Sequence, residues 1–489
     1  MKTILISSVL LLLSLCVNAQ NERSVTIGKK EIIYSKVLNE NRTIWVYTPN
    51  ITSQNTSPDK RYPVLYLLDG GAHFYSTVGI IQQLSQANGN GVLPEMIVVA
   101  IENTNRLRDL VPSADFSKTN PFVSFLYSEL IPHIDKNYNT APYKMLVGHS
   151  LGGLTAIDIL ADFPQLFNAC IAIDPSMWYD QEKYLHHTIS QVAKLNMNGK
   201  RLFVGIANTM PGGIAISQLK NDKTDETQHI RSIFKLDEFV KHNNNGLLYA
   251  QNFYRAERHN TVPLLSTYDG LRFIFDYYFF DANEKDFTDP TAQIASKLKT
   301  HYAKVSKEMG YKNAAPEAFI NYLAYDAMDK KLYNKAKALF ELNIEWYPQS
   351  SKGYDAYADY FLTQKDTINS IANYQKALQI KSDSTIINKL NAVTAKKVPK
   401  VSTDYLQKYD GIYTLVGFQL DMALELRNGS LWAKVPGQAD EEFQPISENV
   451  FTVKGKQGYT ITFEMSEGKP KGFTSVQPNG TFKAVFKNK

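Results

Sequence analysis

One stretch of the chain has the residue types and the spacing of an activated nucleophile: Gly148-His149-Ser150-Leu151-Gly152. The pattern is G-x-S-x-G, in which a strand ends, the chain turns sharply and a helix begins. Residues 145–147 before it are apolar, and residues 154–160 after it have a helical pattern. Glycines flank the serine because so tight a turn leaves no room for a Cβ atom. The turn predicts that Ser150 presents its hydroxyl group above a sheet edge, with the N–H group of Leu151 aimed at the same space as an oxyanion donor.

A serine hydroxyl group is a weak nucleophile and needs a base within hydrogen-bond reach. Of the nine histidines, His259 is the best candidate, because it follows the last apolar strand pattern, residues 248–254. Serine first and histidine last is one of the known orders for such sites. His73 follows the Gly70-Gly71 turn and is expected to line the substrate pocket. The N–H group of Gly71 is the expected second oxyanion donor, with that of Gly70 as the alternative.

The carboxylate that would orient the histidine is ambiguous from the sequence. It is expected after the apolar run 202–206, where Asp222, Asp225 and Glu226 share one polar loop. Each of the three, taken singly, is more typical of a solvated surface charge. Asp222 is the favoured candidate, because the acid must hold the imidazole and stabilise its charged form.

Strand patterns alternate with helical ones through the first half of the chain, which predicts an α/β fold with a mostly parallel sheet in residues 20–285. A β-hairpin is expected around residues 39–41. Function in such sheets lies at the carboxyl ends of the strands. The loops expected to matter are therefore residues 69–74, the serine turn, residues 174–179, the loops after residue 206 and the segment after residue 254.

Composition excludes several other functions. The 489 residues carry a formal charge of only +5, without a basic run long enough to follow phosphates, so nucleic acid is not an expected partner. No Cys/His cluster has zinc spacing and no Gly-rich phosphate loop occurs, so neither metal nor cofactor is expected. Only two cysteines occur, Cys16 and Cys170, and the second lies in an apolar run typical of a buried, inert thiol.

The first nineteen residues have the pattern of a secretory signal peptide: a basic Lys2, an apolar core and a small-residue cleavage site ending at Ala19. The core is too short for a transmembrane helix. Lipidation at Cys16 is a second possibility, although Leu15 is larger than the residue such sites usually carry. The mature protein is expected to be periplasmic or secreted, without a transmembrane segment.

Four ordered motifs resemble the esterase family of α/β hydrolases that includes esterase D-like, siderophore and feruloyl esterases, and the siderophore branch is the most similar. They are residues 67–74, 148–153, 175–178 and 259–264. The resemblance covers about residues 24–280 and implies an α/β-hydrolase fold, a serine-hydrolase mechanism and no cofactor. It also implies that Trp178 lines the acyl or alcohol pocket. The chain departs from relatives at Asn260-Thr261, where small residues are common, and the resemblance does not fix the triad acid.

Two further segments follow a polar stretch at residues 281–290, which is expected to be a linker. Residues 291–395 have helical spacing, and a 34-residue period relates Ala338-Leu339-Phe340 to Ala372-Asn373-Tyr374, which resembles a tetratricopeptide repeat. Peptide binding and a spacer role are equally good interpretations of it. Residues 403–489 show short alternating runs separated by turns, which predict a small all-β barrel or sandwich similar to lipocalin-like domains.

These observations favour an exported serine esterase that hydrolyses a small-molecule or sugar-linked ester of the siderophore, feruloyl or acetyl-sugar type. The rival hypothesis is an inactive hydrolase-fold binding module that recognises a glycan or peptide through its additional domains. The presence of both Ser150 and His259 favours the enzyme.

Overall fold

A computed structural model describes residues 25–49, 60–86, 91–212, 214–291, 293–395, 402–418, 420–456, 459–477 and 480–488. The predicted signal peptide, with Cys16, lies outside the described residues. The chain divides into two compact units, Met1–Phe280 with Ala303–Asn313 and Asp281–Tyr302 with Ala314–Lys489. Within the described ranges, no helix combines the length and the apolar character needed to cross a membrane.

The first unit is built on one eight-stranded sheet in the order β1-β2-β4-β3-β5-β6-β7-β8. Strands β4, β3, β5, β6, β7 and β8 are parallel neighbours, whereas β2 is antiparallel to β4 and β1 to β2. The strands are β1 Lys29–Ser35, β2 Glu40–Tyr47, β3 Tyr62–Leu67, β4 Ile97–Ile101, β5 Thr140–His149, β6 Ala169–Ile173, β7 Arg201–Ala207 and β8 Leu248–Tyr254.

Helices connect these strands. They are α1 Gly70–Gln86, α2 Arg106–Leu110, α3 Pro121–Phe125, a π-helical turn Leu126–Leu130, α4 Ile131–Asn137, α5 Leu151–Asp162, α6 Lys183–Val192, α7 Ile216–Leu219, a 3₁₀ turn Asp225–Thr227, α8 Gln228–His242 and α9 Val262–Ile274. Every residue of β3, β4, β6 and β7 is buried. Strands covered on both faces need continuous apolar runs, and this is why their sequences do not alternate. The predicted mostly parallel α/β fold and the hairpin at residues 39–41 are confirmed.

The second unit contains a run of helices whose bounds repeat at a fixed interval. They are α10 Glu284–Thr288, α11 Ile294–Met309 (which crosses the unit boundary), α12 Glu317–Asp329, α13 Tyr333–Trp346, α14 Ser351–Thr363, α15 Thr367–Ile380, α16 Ser384–Ala395 and α17 Thr403–Gln407. Helix α14 begins and ends 34 residues after α12, and α15 does so after α13. The period inferred from the sequence is therefore a period of helix pairs, while the tetratricopeptide assignment stays a prediction. The polar stretch at residues 281–290 is not a plain linker, because it contains α10.

Eight antiparallel strands close into a barrel at the end of the second unit, in the order β10-β11-β12-β13-β14-β15-β16-β9. They are β9 Gly411–Leu415, β10 Leu420–Arg427, β11 Ser430–Lys434, β12 Glu441–Ser447, β13 Val450–Val453, β14 Thr460–Ser466, β15 Lys469–Gln477 and β16 Gly480–Asn488. Aromatic side chains fill the core, among them Tyr409, Tyr413 and Phe463. The predicted all-β domain is confirmed as a barrel.

Candidate active site

The serine turn has the geometry that its sequence predicts. Strand β5 ends at His149, helix α5 begins at Leu151, and Ser150 between them has φ 60° and ψ −117°. This backbone conformation is rare for a residue with a side chain and is held only where the surroundings enforce it. A Cβ atom on Gly148 would lie 2.1 Å from the carbonyl oxygen of Gly152, so the strand and the first helical turn can approach this closely only at a glycine.

Two other strained residues lie at the same edge of the sheet. Asp69 follows β3 with φ 52°, and Asp174 follows β6 with φ 41°. Strands β3 and β6 both pair with β5, so the two aspartates lie at the ends of the strands on either side of the strand that leads to Ser150. Strained backbone clusters at functional sites, and here it marks three adjacent strand ends.

His259 lies on the loop after β8 and donates a hydrogen bond from Nδ1 to Oδ2 of Asp174, at 2.6 Å. A second histidine, His229 at the start of α8, donates from Nε2 to the same oxygen at 2.9 Å. The other carboxylate oxygen accepts the backbone N–H of Ala207 at 2.9 Å. Burial alone would raise the pKa of Asp174, but the hydrogen bonds from His229 and His259 outweigh burial and hold that pKa well below its usual value. The carboxylate of Asp174 is therefore charged, and it accepts three hydrogen bonds, from His259, His229 and Ala207.

His149 supports the loop that carries His259. Its Nε2 atom lies 2.8 Å from the carbonyl oxygen of His259, and the two rings are 4.5 Å apart. Burial, and then the neighbouring His259 and His73 rings, lower the pKa of His149 to about 4. His149 is therefore neutral near pH 7, and with Nε2 protonated it donates a hydrogen bond that holds the loop.

A cavity of about 670 Å³ opens at these strand ends. Both Ser150 and His259 line it. The other lining residues are Asp69, Ala72, His73, Ser76, Arg106, His149, Asn260, Thr261, Pro263 and Leu264. The volume lies in the range of small-molecule sites, about 300–1,000 Å³. Next to the nucleophile, the hydroxyl oxygens of Ser150 and the buried Ser176 lie 3.2 Å apart.

A charged pair forms part of the wall of this cavity. The guanidinium group of Arg106 donates to both carboxylate oxygens of Asp69, from Nε at 2.7 Å and from Nη2 at 2.9 Å. Asn103 donates to the same carboxylate at 2.5 Å. Planar bidentate pairing gives geometric precision as well as energy. The pair therefore fixes Asp69, and with it the turn from β3 into α1.

The structure does not bring the expected acid to the histidine. Asp222 is half-buried and accepts hydrogen bonds from the N–H and hydroxyl groups of Thr224 in its own loop, while its carbonyl oxygen accepts from Arg231. The alternatives Asp225 and Glu226 lie in the 3₁₀ turn that follows, and both are exposed. The carboxylate at His259 is Asp174, at the end of β6 rather than after β7. The choice of Asp222 is corrected accordingly.

The other expected residues lie as follows. His73 lines the cavity, and Leu151 is the first residue of α5. Gly71 lies in the first turn of α1, where backbone N–H groups have no partner within the helix. Trp178 is 39% exposed and its ring contacts Tyr179. It is not one of the described residues that line the cavity. Its role in the pocket stays a prediction.

Three residues of this site were not predicted from the sequence: Asp174, His229 and Arg106. A signal existed for Asp174, because it directly follows a fully apolar strand and precedes Pro175, at a strand end where function is expected. His229 and Arg106 have no comparable local signal, since both lie in polar segments typical of a surface.

A mostly parallel sheet with a strained serine after β5 and a histidine after β8 defines an α/β hydrolase. Comparison with known proteins indicates which family of α/β hydrolases the chain resembles. Residues 35–254 match the model of the family described as "Putative esterase". Two relatives come from Bacillus subtilis (strain 168). The uncharacterized protein YbbA is 25% identical over 181 residues, covering 34% of this chain and 68% of YbbA. The ferri-bacillibactin esterase BesA is 27% identical over 214 residues, covering 39% of this chain and 73% of BesA.

Among solved structures, an IroE-like serine hydrolase from Shewanella oneidensis is 26% identical, with a TM-score of 0.54, over 65% of this chain and 99% of that protein. The predicted resemblance is thus confirmed: the segment 35–254 belongs to this esterase family. The chain is an enzyme of the carboxylic ester hydrolase class.

Proposed function

We propose that this chain is an exported serine esterase that cleaves its substrate through an acyl-enzyme intermediate. The observation that carries the proposal is the 2.6 Å hydrogen bond between His259 and the buried Asp174, on a histidine that lines one cavity with the strained Ser150. A serine, a histidine and a charged carboxylate at one sheet edge are the parts that acyl transfer requires. Export rests on the predicted signal peptide, residues 1–19.

In the proposed mechanism, Ser150 Oγ attacks the ester carbonyl carbon while Nε2 of His259 accepts the hydroxyl proton. Asp174 keeps Nδ1 of His259 protonated and stabilises the imidazolium ion. The N–H groups of Leu151 and Gly71 bind the oxyanion. His259 then protonates the leaving alcohol, and water, deprotonated by the same histidine, releases the acid and restores Ser150. His229 contacts Asp174 and not the substrate, so it is a positioning residue.

The proposed substrate is a siderophore-type ester, with feruloyl and acetyl-sugar esters as the wider class. Support comes from the name of a relative, BesA, as a ferri-bacillibactin esterase. The cavity volume of about 670 Å³ suits part of such a molecule, with the remainder outside the opening. Arg106, Asn260 and Thr261 supply polar groups at the wall.

The test is covalent labelling of the mature protein by a fluorophosphonate probe, with Ser150→Ala as the control. We expect stoichiometric labelling of Ser150 and none in the variant. A panel of aryl, feruloyl, acetyl-sugar and catechol siderophore esters then ranks substrates by kcat/KM. A folded protein that the probe does not label would contradict the serine mechanism, and equal labelling of the variant would move the nucleophile elsewhere.

A further inference from the structure

A second cavity, of about 310 Å³, opens at the far end of the helix that begins after Ser150. Asp158 and Asp162 of helix α5 line it together with His187 of helix α6. Residues four apart lie on one face of a helix, so both carboxylates point to the same side of α5. Helix α5 is 12 residues long, which at about 1.5 Å per residue places Asp162 about 18 Å along the axis from the nucleophile. This cavity is distinct from the active site.

The polar atoms of the three side chains converge. One carboxylate oxygen from each aspartate and one ring nitrogen of His187 all lie within 4.8 Å of one another. Nε2 of His187 is 2.9 Å from Oδ1 and 3.0 Å from Oδ2 of Asp162. The imidazole ring is stacked on Phe116, with 3.7 Å between ring centroids and 2° between planes, so its orientation is fixed.

Asp158 differs from the other two residues, because its buried carboxyl group has no partner among the described residues that accounts for it. It is 94% buried, its relative exposure being 6%, and it faces the cavity. Across the part of the chain that the structure describes, its carboxyl group has neither a hydrogen-bond partner nor an ion-pair partner. A buried polar group without a partner costs stability and calls for a ligand, an ion or an ordered water. A second carboxylate, that of Asp162, lies at the same cavity with a ligand oxygen within 4.8 Å of one from Asp158.

We propose that Asp158, Asp162 and His187 bind a divalent first-row cation, Zn²⁺ in the first instance, at this second cavity. Two carboxylate oxygens and one imidazole nitrogen suit Zn²⁺, whereas Mg²⁺ and Ca²⁺ prefer oxygen ligands alone. Water in the cavity completes the coordination shell. The cation also lies beside the carboxyl end of α5, where the helix dipole and the last free carbonyl groups favour positive charge.

Charge in the surroundings is compatible with a bound cation. Lys118 also lines the cavity, but its ammonium group pairs with Asp115 at 3.0 Å and is 75% exposed. The ion would connect α5 to α6 and so fix the end of the helix that carries the nucleophile turn. The site is therefore structural, and its loss is expected to lower the Tm rather than the turnover of folded enzyme.

The experiment is Zn²⁺ titration of the metal-free, full-length mature protein by calorimetry, with the Tm measured in parallel. We expect one Zn²⁺ per chain and a rise in Tm. Asp158→Asn and His187→Gln keep side-chain size and should each weaken binding by at least about 100-fold, because even partners beyond the direct ligands are worth about 10- to 100-fold in metal affinity. Esterase activity of both folded variants should stay within about twofold of wild type.

A control is needed because Asp174, His229 and His259 also bring ligand atoms within 4.8 Å of one another. His229→Gln should keep the Zn²⁺ affinity of the wild type. A loss of Zn²⁺ affinity in this variant would assign the ion to the active site and overturn the proposal. Wild-type protein that binds no Zn²⁺, or binding unchanged in both cavity variants, would overturn it as well. Should one cavity variant fail to fold, the other decides, because Asp158→Asn and His187→Gln each remove one direct ligand.

Discussion

Oδ2 of Asp174 lies 2.6 Å from Nδ1 of His259, although 85 residues separate the two in the chain. Asp174 follows β6, the strand next to the one that ends at the nucleophile. The sequence pattern after β7 favours Asp222 instead. Strand β6 lies between β5 and β7, so Asp174 follows a strand end next to Ser150, and the loop after β8 brings His259 to it.

Asp174→Asn should lower kcat by about 10³- to 10⁴-fold with little change in KM, because the amide cannot stabilise the imidazolium ion and favours the wrong tautomer of His259. The measurement is steady-state hydrolysis of a soluble aryl ester. Asp222→Asn is the matched control and should stay within about twofold of wild type, since its carboxylate contacts only its own loop. The reverse ranking of the two variants would restore Asp222 as the acid.

Local sequence determines part of this site, and three-dimensional packing determines the rest. The Ser150 turn could be predicted because its glycines and its flanking patterns all lie within residues 145–160. His259 could be predicted because it follows the last strand. Asp174 could not be chosen over Asp222 from the sequence, because the choice depends on which strand end faces the histidine loop.

The residues around the site also divide into those set by local sequence and those set by three-dimensional packing. Arg106 and Asp69 are 37 residues apart and form a bidentate pair only because β3 and β4 are parallel neighbours. His229 reaches Asp174 only through the placement of α8. In the second unit the 34-residue period was visible in the sequence, because each helix pair repeats a local pattern.

His229→Leu should reduce kcat by about 10-fold or less while KM stays nearly constant, because His229 contacts Asp174 and does not line the cavity, and leucine cannot donate a hydrogen bond. With one donor removed, the Asp174 carboxylate becomes a stronger acceptor for His259. The acid limb of the pH–rate profile should therefore move to higher pH. The measurement is kcat/KM between pH 5 and pH 9.

His229→Asn serves as a second variant, since its shorter side chain cannot reach the carboxylate and should reproduce the effect. If both variants lower activity without displacing the profile, His229 has only a packing role.

The lowered pKa of His149 predicts that the protein loses stability in mild acid. Its pKa is about 4 in the folded protein, because of burial and the neighbouring His259 and His73, against an ordinary value of 6.5. Well above pH 6.5 the ring is neutral in both the folded and the unfolded states. The contribution of His149 to the free energy of unfolding is therefore fully present there. As the pH falls from 6.5 to 4, the unfolded state binds the proton first, and the free energy of unfolding falls by about 3 kcal/mol at most.

The measurement is urea unfolding at pH 7 and pH 5 for wild type and His149→Gln, which keeps a neutral donor. Relative to the variant, wild type should lose about 2 kcal/mol between the two pH values, because each pKa unit is worth about 1.4 kcal/mol. Parallel losses in both proteins would show that other groups govern the acid response.

The last prediction concerns where the hydrolase unit ends. Residues 303–313 belong to it: Val305 and Met309 are buried, and Glu308 lies 3.4 Å from Arg201 of strand β7. A chain ending at Asn313 should therefore keep the kcat/KM of the full-length protein on a soluble aryl ester. A chain ending at Phe280 should have a Tm lower by about 5 °C or more, because burying each such side chain is worth about 1.5–3 kcal/mol.

Comparison of the two truncated chains separates stability from catalysis. Both must be shown to be folded by circular dichroism, and kcat/KM is then measured well below the lower Tm, so that each value refers to folded enzyme. Equal kcat/KM with unequal Tm supports a complete active site within the first unit, stabilised by residues 303–313. A folded chain ending at Asn313 that has lost nearly all turnover would place part of the catalytic machinery beyond that residue. Equal Tm values would instead show that residues 303–313 contribute little, although Val305 and Met309 are buried.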